Sequence, residues 1–349
     1  MKAVVVRGPA DFGMEDVPEP RHGDYEALVR VSHCGICSGT DRHIIAGPSA
    51  FPWIAPYPTI LGHESIGRVV AVGKAVRYLR EGDVVLRPVA VRPGETLGGY
   101  SSTFGGMAES GLVADSRAIL EDTPRGEEPH LPAFAAAQQV VPPSLNPAGA
   151  GAFITFKETL SWAQDFGVGP GARVAVLGVG GVGLSFVRVC KLLGAEQVIA
   201  VGRRPWPLQV ASQIGADYAL NTIEQALAEA TREATAGRGC THVIDAVGDN
   251  RLLQEGLALL APGGKIGQYG VPPSRRFEMD WSSAPSAASL HFIAPREERV
   301  HGQALDWVRL GLFDPMSLVD TILPIGQVAD AFDLLERRYA IRVTLSLEE

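Results

Sequence analysis

The chain has 349 residues, 46% of them hydrophobic and 20% charged, enough apolar material for two domains with their own cores. Its formal net charge of -8 argues against nucleic acid or an anionic membrane surface as a partner, and no apolar run approaches the span of a membrane helix. Four cysteines, Cys34, Cys37, Cys190 and Cys240, are too few and too scattered for a disulfide framework. The start, Met1 to Val6, meets Arg7-Gly8-Pro9 too soon for a signal peptide, and both features lead to the expectation of a cytoplasmic protein.

From Met1 to about Pro147 the text consists of short β-rich runs broken by glycine and proline. Ala27 to Val31, Ser65 to Val72 and Asp83 to Leu86 read as strands, with turns at Gly23, Gly73 and Gly82, and together they predict an irregular β domain. Two stretches in it carry chemistry: Cys34-Gly35-Ile36-Cys37-Ser38-Gly39-Thr40-Asp41-Arg42-His43 and Gly62-His63-Glu64. A thiolate and an imidazole from separated loops are ligands suited to Zn²⁺. Cys34-x-x-Cys37 alone also fits a redox pair, but no thioredoxin-like βαβ pattern surrounds it, and Cys34 reads as a small core residue. Phe51 and Trp53, in the proline-rich loop before Gly62, fit pocket walls or core packing equally. His22, His33, His130, His242, His291 and His301 stand at no metal spacing to one another and read as surface or core histidines.

Beyond residue 148 the pattern changes. Lys157 to Ala163 is helical in spacing and ends at Gly167; Val174 to Leu177 is a short apolar run suited to a strand buried on both faces. Gly178, Gly180 and Gly183 follow at the spacing of the dinucleotide fingerprint, with Gly181 and Val182 between them, a helix over Leu184 to Leu193 and a second strand at Gln197 to Val201. The glycines allow the turn, the approach of backbone to a pyrophosphate and the packing of helix on strand, and the helix N-terminus is left to hold the anion. A dinucleotide is therefore expected here. About 20 residues beyond such a fingerprint an NAD site expects an acid on the ribose hydroxyls, whereas this chain has Gly202-Arg203-Arg204. Glycine leaves room for a 2′-phosphate and guanidinium groups bind one, so the expectation is NADP(H); a solvated basic loop is the competing reading, which leaves the missing acid unexplained. His242 to Gly248 and Gly264 to Gly270 read as further buried strands, so strands separated by helices imply a doubly wound parallel sheet. A helix over Gln327 to Arg338 and a last strand, Arg342 to Leu347, close the chain. The predicted boundaries are 1–150 with 310–349 returning to it, and 151–309.

Gly62-His63-Glu64-x-x-Gly67 with Gly73 beyond it, Gly82-Asp83-Val84-Val85, Gly105-Gly106-Met107-Ala108-Glu109 and the glycine fingerprint together carry a resemblance. Over nearly its whole length the chain resembles the zinc-containing medium-chain dehydrogenases/reductases. The resemblance implies an α/β protein: an irregular GroES-like β-barrel domain that is catalytic, and a Rossmann domain with a doubly wound parallel sheet that binds the cofactor. It implies one catalytic Zn²⁺ held by Cys37 and His63, with Glu64 as a direct ligand in the polyol-dehydrogenase branch and as an outer group in the alcohol-dehydrogenase branch. Asp41 would orient His63, Thr40 would pass the substrate proton, and His43 would carry it toward solvent. The implied activity is hydride transfer between NADP(H) and an alcohol, polyol or sugar hydroxyl, or the matching carbonyl, in a homo-oligomer.

Three departures qualify this. The family usually reads Cys-x-Ser/Thr-Asp, while Cys37-Ser38-Gly39-Thr40-Asp41 is one residue longer, so the loop should bulge at Gly39 and Ser38 rivals Thr40 as the relay. The third cysteine ligand of alcohol dehydrogenases has no counterpart in Phe153-Ile154-Thr155-Phe156, which tilts the chain toward Cys37, His63 and Glu64 as the ligand set. The stretch Asp83 to Gly111 holds no cysteine, so the family's structural zinc lobe is absent and no second metal is implied. A zinc-free quinone or enoyl reductase of the same fold, and an NADPH-binding protein without turnover, remain the alternatives.

Overall fold

The computed structural model describes residues 1–47, 56–272, 274 and 276–348. Phe51 and Trp53, read above as pocket or core, lie outside the described residues. The chain divides into two compact units, Met1–Ile154 with Pro315–Glu349, and Thr155–Asp314.

In chain order the first unit opens with a hairpin, β1 (Lys2–Gly8) and β2 (Asp11–Asp16), followed by β3 (Glu26–Gly35), helix α1 (Thr40–Ala46), β4 (Thr59–Ile60) and β5 (Glu64–Val72). Then come β6 (Val84–Leu86), β7 (Ser101–Ser102), β8 (Ser110–Ala114), α2 (Ser116–Asp122), β9 (Val140–Val141) and the start of α3 (Ala150–Asp165). The second unit alternates β10 (Arg173–Leu177), α4 (Gly181–Leu192), β11 (Gln197–Gly202), α5 (Pro205–Gln213), β12 (Tyr218–Asn221), α6 (Leu227–Ala234), β13 (Cys240–Asp245), α7 (Asn250–Leu257), β14 (Leu260–Gln268), β15 (Ser289–Phe292) and α8 (His301–Arg309). The chain then re-enters the first unit as β16 (Thr321–Pro324), α9 (Val328–Glu336) and β17 (Val343–Ser346).

β10 is the middle of a six-stranded sheet, ordered β12-β11-β10-β13-β14-β15, whose strand pairs are all parallel. Val174 to Leu177 and Val198 to Ala200 are fully buried because helices cover both faces, which is why these strands read as continuous apolar runs rather than alternating ones. β14 starts earlier than its apolar text suggests. It runs through Pro262-Gly263, and the register with β13 shifts between Cys240 and His242 to take up the irregular start.

The first unit is built on a seven-stranded sheet in which β3 is the spine. It pairs with β5 along its length, with β8 over Glu26 to Arg30 and with β17 near its end, where Cys34 faces Leu345 and Gly35 faces both Thr344 and Glu64. Cys34 sits fully buried in the core with Val4, Ile36, Leu61, Met107 and Val343, and burial pushes its thiol pKa well up. This α/β fold, with a doubly wound parallel sheet in one unit and a GroES-like β unit in the other, is the class expected from sequence. Among the described residues no helix is long and apolar enough to cross a membrane.

Candidate active site and metal centre

β3 ends at Gly35, the chain turns through Cys37 to Gly39, and α1 starts at Thr40; β5 starts at Glu64, across the sheet from Gly35. That pairing brings together two segments almost thirty residues apart in sequence. Sγ of Cys37, a ring nitrogen of His63 and a carboxylate oxygen of Glu64 all lie within 4.8 Å of one another, the one such trio among the described residues. Donors bound to a tetrahedral zinc at about 2.0–2.3 Å sit roughly 3.3–3.8 Å apart, so closing this trio on an ion takes an ångström or so of side-chain adjustment. A thiolate, an imidazole and a carboxylate are also the donor types zinc accepts, and the residues present fit the ion.

Asp41, with no exposed surface, ties the arrangement together. Its Oδ2 accepts from the Cys37 backbone N–H at 2.9 Å and its Oδ1 lies 3.2 Å from Nδ1 of His63. Burial alone would depress the His63 imidazole; the Asp41 carboxylate, with Cys37 beside it, outweighs burial and holds it well above the usual histidine range. The same contact leaves Nδ1 occupied and Nε2 as the nitrogen facing a metal, the usual support of a bound imidazole.

Glu64 is 2% exposed, and its Oε2 accepts from Nη1 of Arg342, itself 4% exposed. Two glycines form the wall of this niche. A Cβ on Gly35 would lie 2.6 Å from Oε2 of Glu64, and one on Gly151 would lie 2.7 Å from it, so no side chain fits at either position. Arg342 is held in turn by Asp320, whose Oδ2 accepts from its backbone N–H at 2.8 Å. The carboxylate that the sequence offered as a ligand thus also has an ionic partner that the sequence did not reveal.

Gly39 adopts φ -81°, an ordinary right-handed value, and the extra residue is absorbed as a turn leading into α1 rather than as a strained bulge. Ser38 is exposed, while Thr40 and His43 are half-buried on successive turns of α1. Next to His63 the protein has a small cleft lined also by Arg87, Pro88, Val89, Phe104 and Phe134. Phe104 stacks obliquely on the imidazole, with centroids 4.8 Å apart, and Phe134 stacks on Phe104 at the same spacing. Sequence reasoning missed Arg87, Phe104, Phe134 and Arg342. For Arg87 a signal was present, since it is the lone charge interrupting the apolar run Val84 to Val91.

In the second unit the fingerprint glycines divide their work as the spacing suggests. Gly178 has φ +103° and a Cβ there would meet Val247 at 2.4 Å; a Cβ on Gly183 would lie 1.8 Å from the Gly178 carbonyl oxygen. Gly180 differs, because a Cβ there would meet nothing within 4 Å. It is the N-cap of α4 and has no side-chain cap, so the first N–H groups of the helix, at Gly181 and Val182, face an open cradle of the kind that holds a phosphate. Gly202 ends β11, Arg203 is exposed, and Arg204 is the N-cap residue of α5 with its guanidinium 5.7 Å from the ring of Trp206.

A sequence profile described as zinc-binding dehydrogenase matches residues 181–302, and one described as alcohol dehydrogenase GroES-like domain matches residues 23–122. The alcohol dehydrogenase of Cupriavidus necator is 31% identical over 302 residues, 78% of this chain and 76% of its own length. The chain belongs to the zinc-type medium-chain dehydrogenases/reductases, a family of oxidoreductases. The sorbitol dehydrogenase of Bacillus subtilis (strain 168) is 28% identical over 345 residues, 95% of this chain and 93% of its own length. Among solved structures, alcohol dehydrogenase TADH from Thermus sp. ATN1 superposes with a TM-score of 0.80 at 26% identity, covering 100% of both chains.

The Glu64–Arg342 pair generates a stability prediction. Removing one partner of a buried ion pair strands the other charge at a cost of about 3–5 kcal/mol, so Arg342→Met should destabilise the metal-free protein by that order in urea unfolding. Adding Glu64→Gln should recover most of the loss. A cost below about 1 kcal/mol for the single change would show that Glu64 does not depend on Arg342.

Proposed function

We propose that this protein is an NADP(H)-preferring, zinc-dependent dehydrogenase acting on an alcohol, polyol or sugar hydroxyl or the matching carbonyl. The observation that carries the reading is the convergence of Cys37, His63 and Glu64 beside an aromatic-walled cleft. Cys37 and His63 hold the ion, and Glu64 completes the donor set as in the polyol branch. When bound, zinc supplies Lewis acidity toward a substrate oxygen. Asp41 fixes the tautomer of His63, Phe104 and Phe134 keep water from one side of the cleft, and Thr40 takes the hydroxyl proton and hands it toward His43. The open cradle at Gly180 binds the pyrophosphate, and Arg203 and Arg204 bind the 2′-phosphate. Similarity to alcohol and sorbitol dehydrogenases supports the substrate class.

The deciding experiment is metal analysis of freshly prepared, unchelated protein with NADPH oxidation measured across aldehydes, ketones and sugars. One zinc per chain is expected. Cys37→Ala should lose both zinc and turnover while NADPH still quenches the fluorescence of the folded protein; full activity in that variant would sink the mechanism.

For the relay, Thr40→Val should depress kcat strongly with zinc content and NADPH affinity unchanged. The same loss from Ser38→Ala instead would move the role to the exposed serine.

Cofactor preference has a packing side as well as a charge side. A Cβ on Gly202 would lie 2.4 Å from Cγ2 of Val179, so an acid at this position must first displace a methyl group in the fingerprint loop. Each charge-assisted contact from Arg203 or Arg204 to a 2′-phosphate contributes about 1.5–3 kcal/mol, which favours NADPH over NADH by roughly tenfold or more in kcat/KM. The triple variant Val179→Ala, Gly202→Asp, Arg203→Ile should reverse that ratio, and Gly202→Asp without Val179→Ala should bind both cofactors poorly. A wild-type ratio near one would reduce the arginines to a solvated surface pair.

A further inference from the structure

Arg87 follows β6 and is 6% exposed, an arginine buried in the first unit with no part in the chemistry above. Its backbone has φ +57°, in the left-handed region that a residue with a side chain enters only at a cost. The hydrogen bonds around it account for that conformation. Its backbone N–H donates to the carbonyl of Ser65 at 2.8 Å, and its Nη1 donates to the carbonyl of His63 at 2.7 Å. One residue therefore grips the start of β5 on both sides of Glu64, its N–H continuing the β5–β6 ladder and its side chain reaching two residues further. Its own carbonyl accepts from Nε2 of Gln138 at 2.8 Å, and Gln138 is tied through Nε2 to the Leu112 carbonyl at 3.0 Å and through Oε1 to the Ala114 N–H at 2.8 Å. The grip is thus anchored to β8. Arg87 also lines the small cleft beside His63.

We propose that Arg87 is a positioning residue for the metal centre: by holding the His63 and Ser65 carbonyls it sets the backbone from which His63 and Glu64 project toward Cys37. This rests on the metal reading given above. Donors that must close by an ångström or so on an ion need a backbone that does not drift, and a charged donor on a carbonyl resists that drift better than a neutral one. Outer contacts of this kind change metal affinity by about 10–100-fold when removed.

The test uses full-length protein and two variants that remove the side-chain donor in different ways. Arg87→Gly keeps the N–H to Ser65 and relieves the left-handed backbone, while Arg87→Met keeps the apolar stem; failure of one to fold leaves the other to decide. Both should hold Zn²⁺ about 10–100-fold more weakly in competition with a chelator, and the visible spectrum of the Co²⁺-substituted protein should change. NADPH affinity should stay within about twofold of wild type, since the nucleotide cradle is in the other unit. Arg87→Lys, which restores a charged donor, should recover part of the affinity. Wild-type Zn²⁺ affinity and an unchanged Co²⁺ spectrum in a folded donor-less variant overturn the proposal, including when its melting temperature falls. A wild-type protein that takes up no zinc overturns the metal reading and the proposal together.

Discussion

The feature on which most of the first unit depends is a carboxylate placed where carboxylates are costly. Glu64 is almost wholly buried, and stranding it without a partner would cost several kcal/mol. The chain meets this with Arg342, which is distant in sequence and fixed by Asp320 just before β17. That requirement constrains other positions. The last strand must lie against β3, so that Cys34 faces Leu345, and Gly35 and Gly151 must lack side chains because their Cα atoms border the carboxylate oxygen. The return of the chain to its first unit after the nucleotide-binding unit is therefore more than a topological habit. It delivers the cation that makes the Gly62-His63-Glu64 turn tenable.

A buried ion pair is poor evidence of net stability, since an apolar pair of similar volume often does as well. Its place beside a thiol and an imidazole fits the metal site proposed above. With Arg342 on Oε2, Glu64 can accept one more positive partner without becoming a stranded charge when that partner leaves. In the proposed metal site the carboxylate would then tolerate both the loaded and the empty state, a property that a carboxylate relying on the ion alone would lack.

What was legible in sequence was what local rules determine. Apolar runs with intervening helices foretold the parallel sheet, because strands covered on both faces carry no polar alternation. Glycine spacing foretold the fingerprint turn, because Gly183 must lie against the Gly178 carbonyl oxygen. Cys37, His63 and Glu64 drew attention by residue type, and β3–β5 pairing brings their donors together. Arg342 was not legible, and Arg87 left only the trace of one charge inside the apolar run Val84 to Val91. An isolated arginine looks the same whether it ends in solvent or in a core; only the register of β6 against β5 makes Arg87, and that of β17 against β3 makes Arg342, a neighbour of the site. The bulge expected at Gly39 failed for a related reason: an added residue before a helix joins the turn and requires no unusual backbone.

The cofactor loop shows how a sequence signal can have a cause deeper than the one first assigned to it. Read as text, Gly202 matters because it is not an acid. In the folded unit it matters because Cγ2 of Val179 occupies the space where any side chain at that position would begin. Val179 lies between the first two fingerprint glycines and is 5% exposed, so its position is determined by the same turn that shapes the phosphate cradle. Discrimination against NADH would therefore be set in the packing beneath the loop as much as by Arg203 and Arg204 at its surface. Removing the arginines alone should weaken NADPH binding without creating a site for the free ribose hydroxyls of NADH, because the acceptor those hydroxyls require has nowhere to stand until Val179 is trimmed.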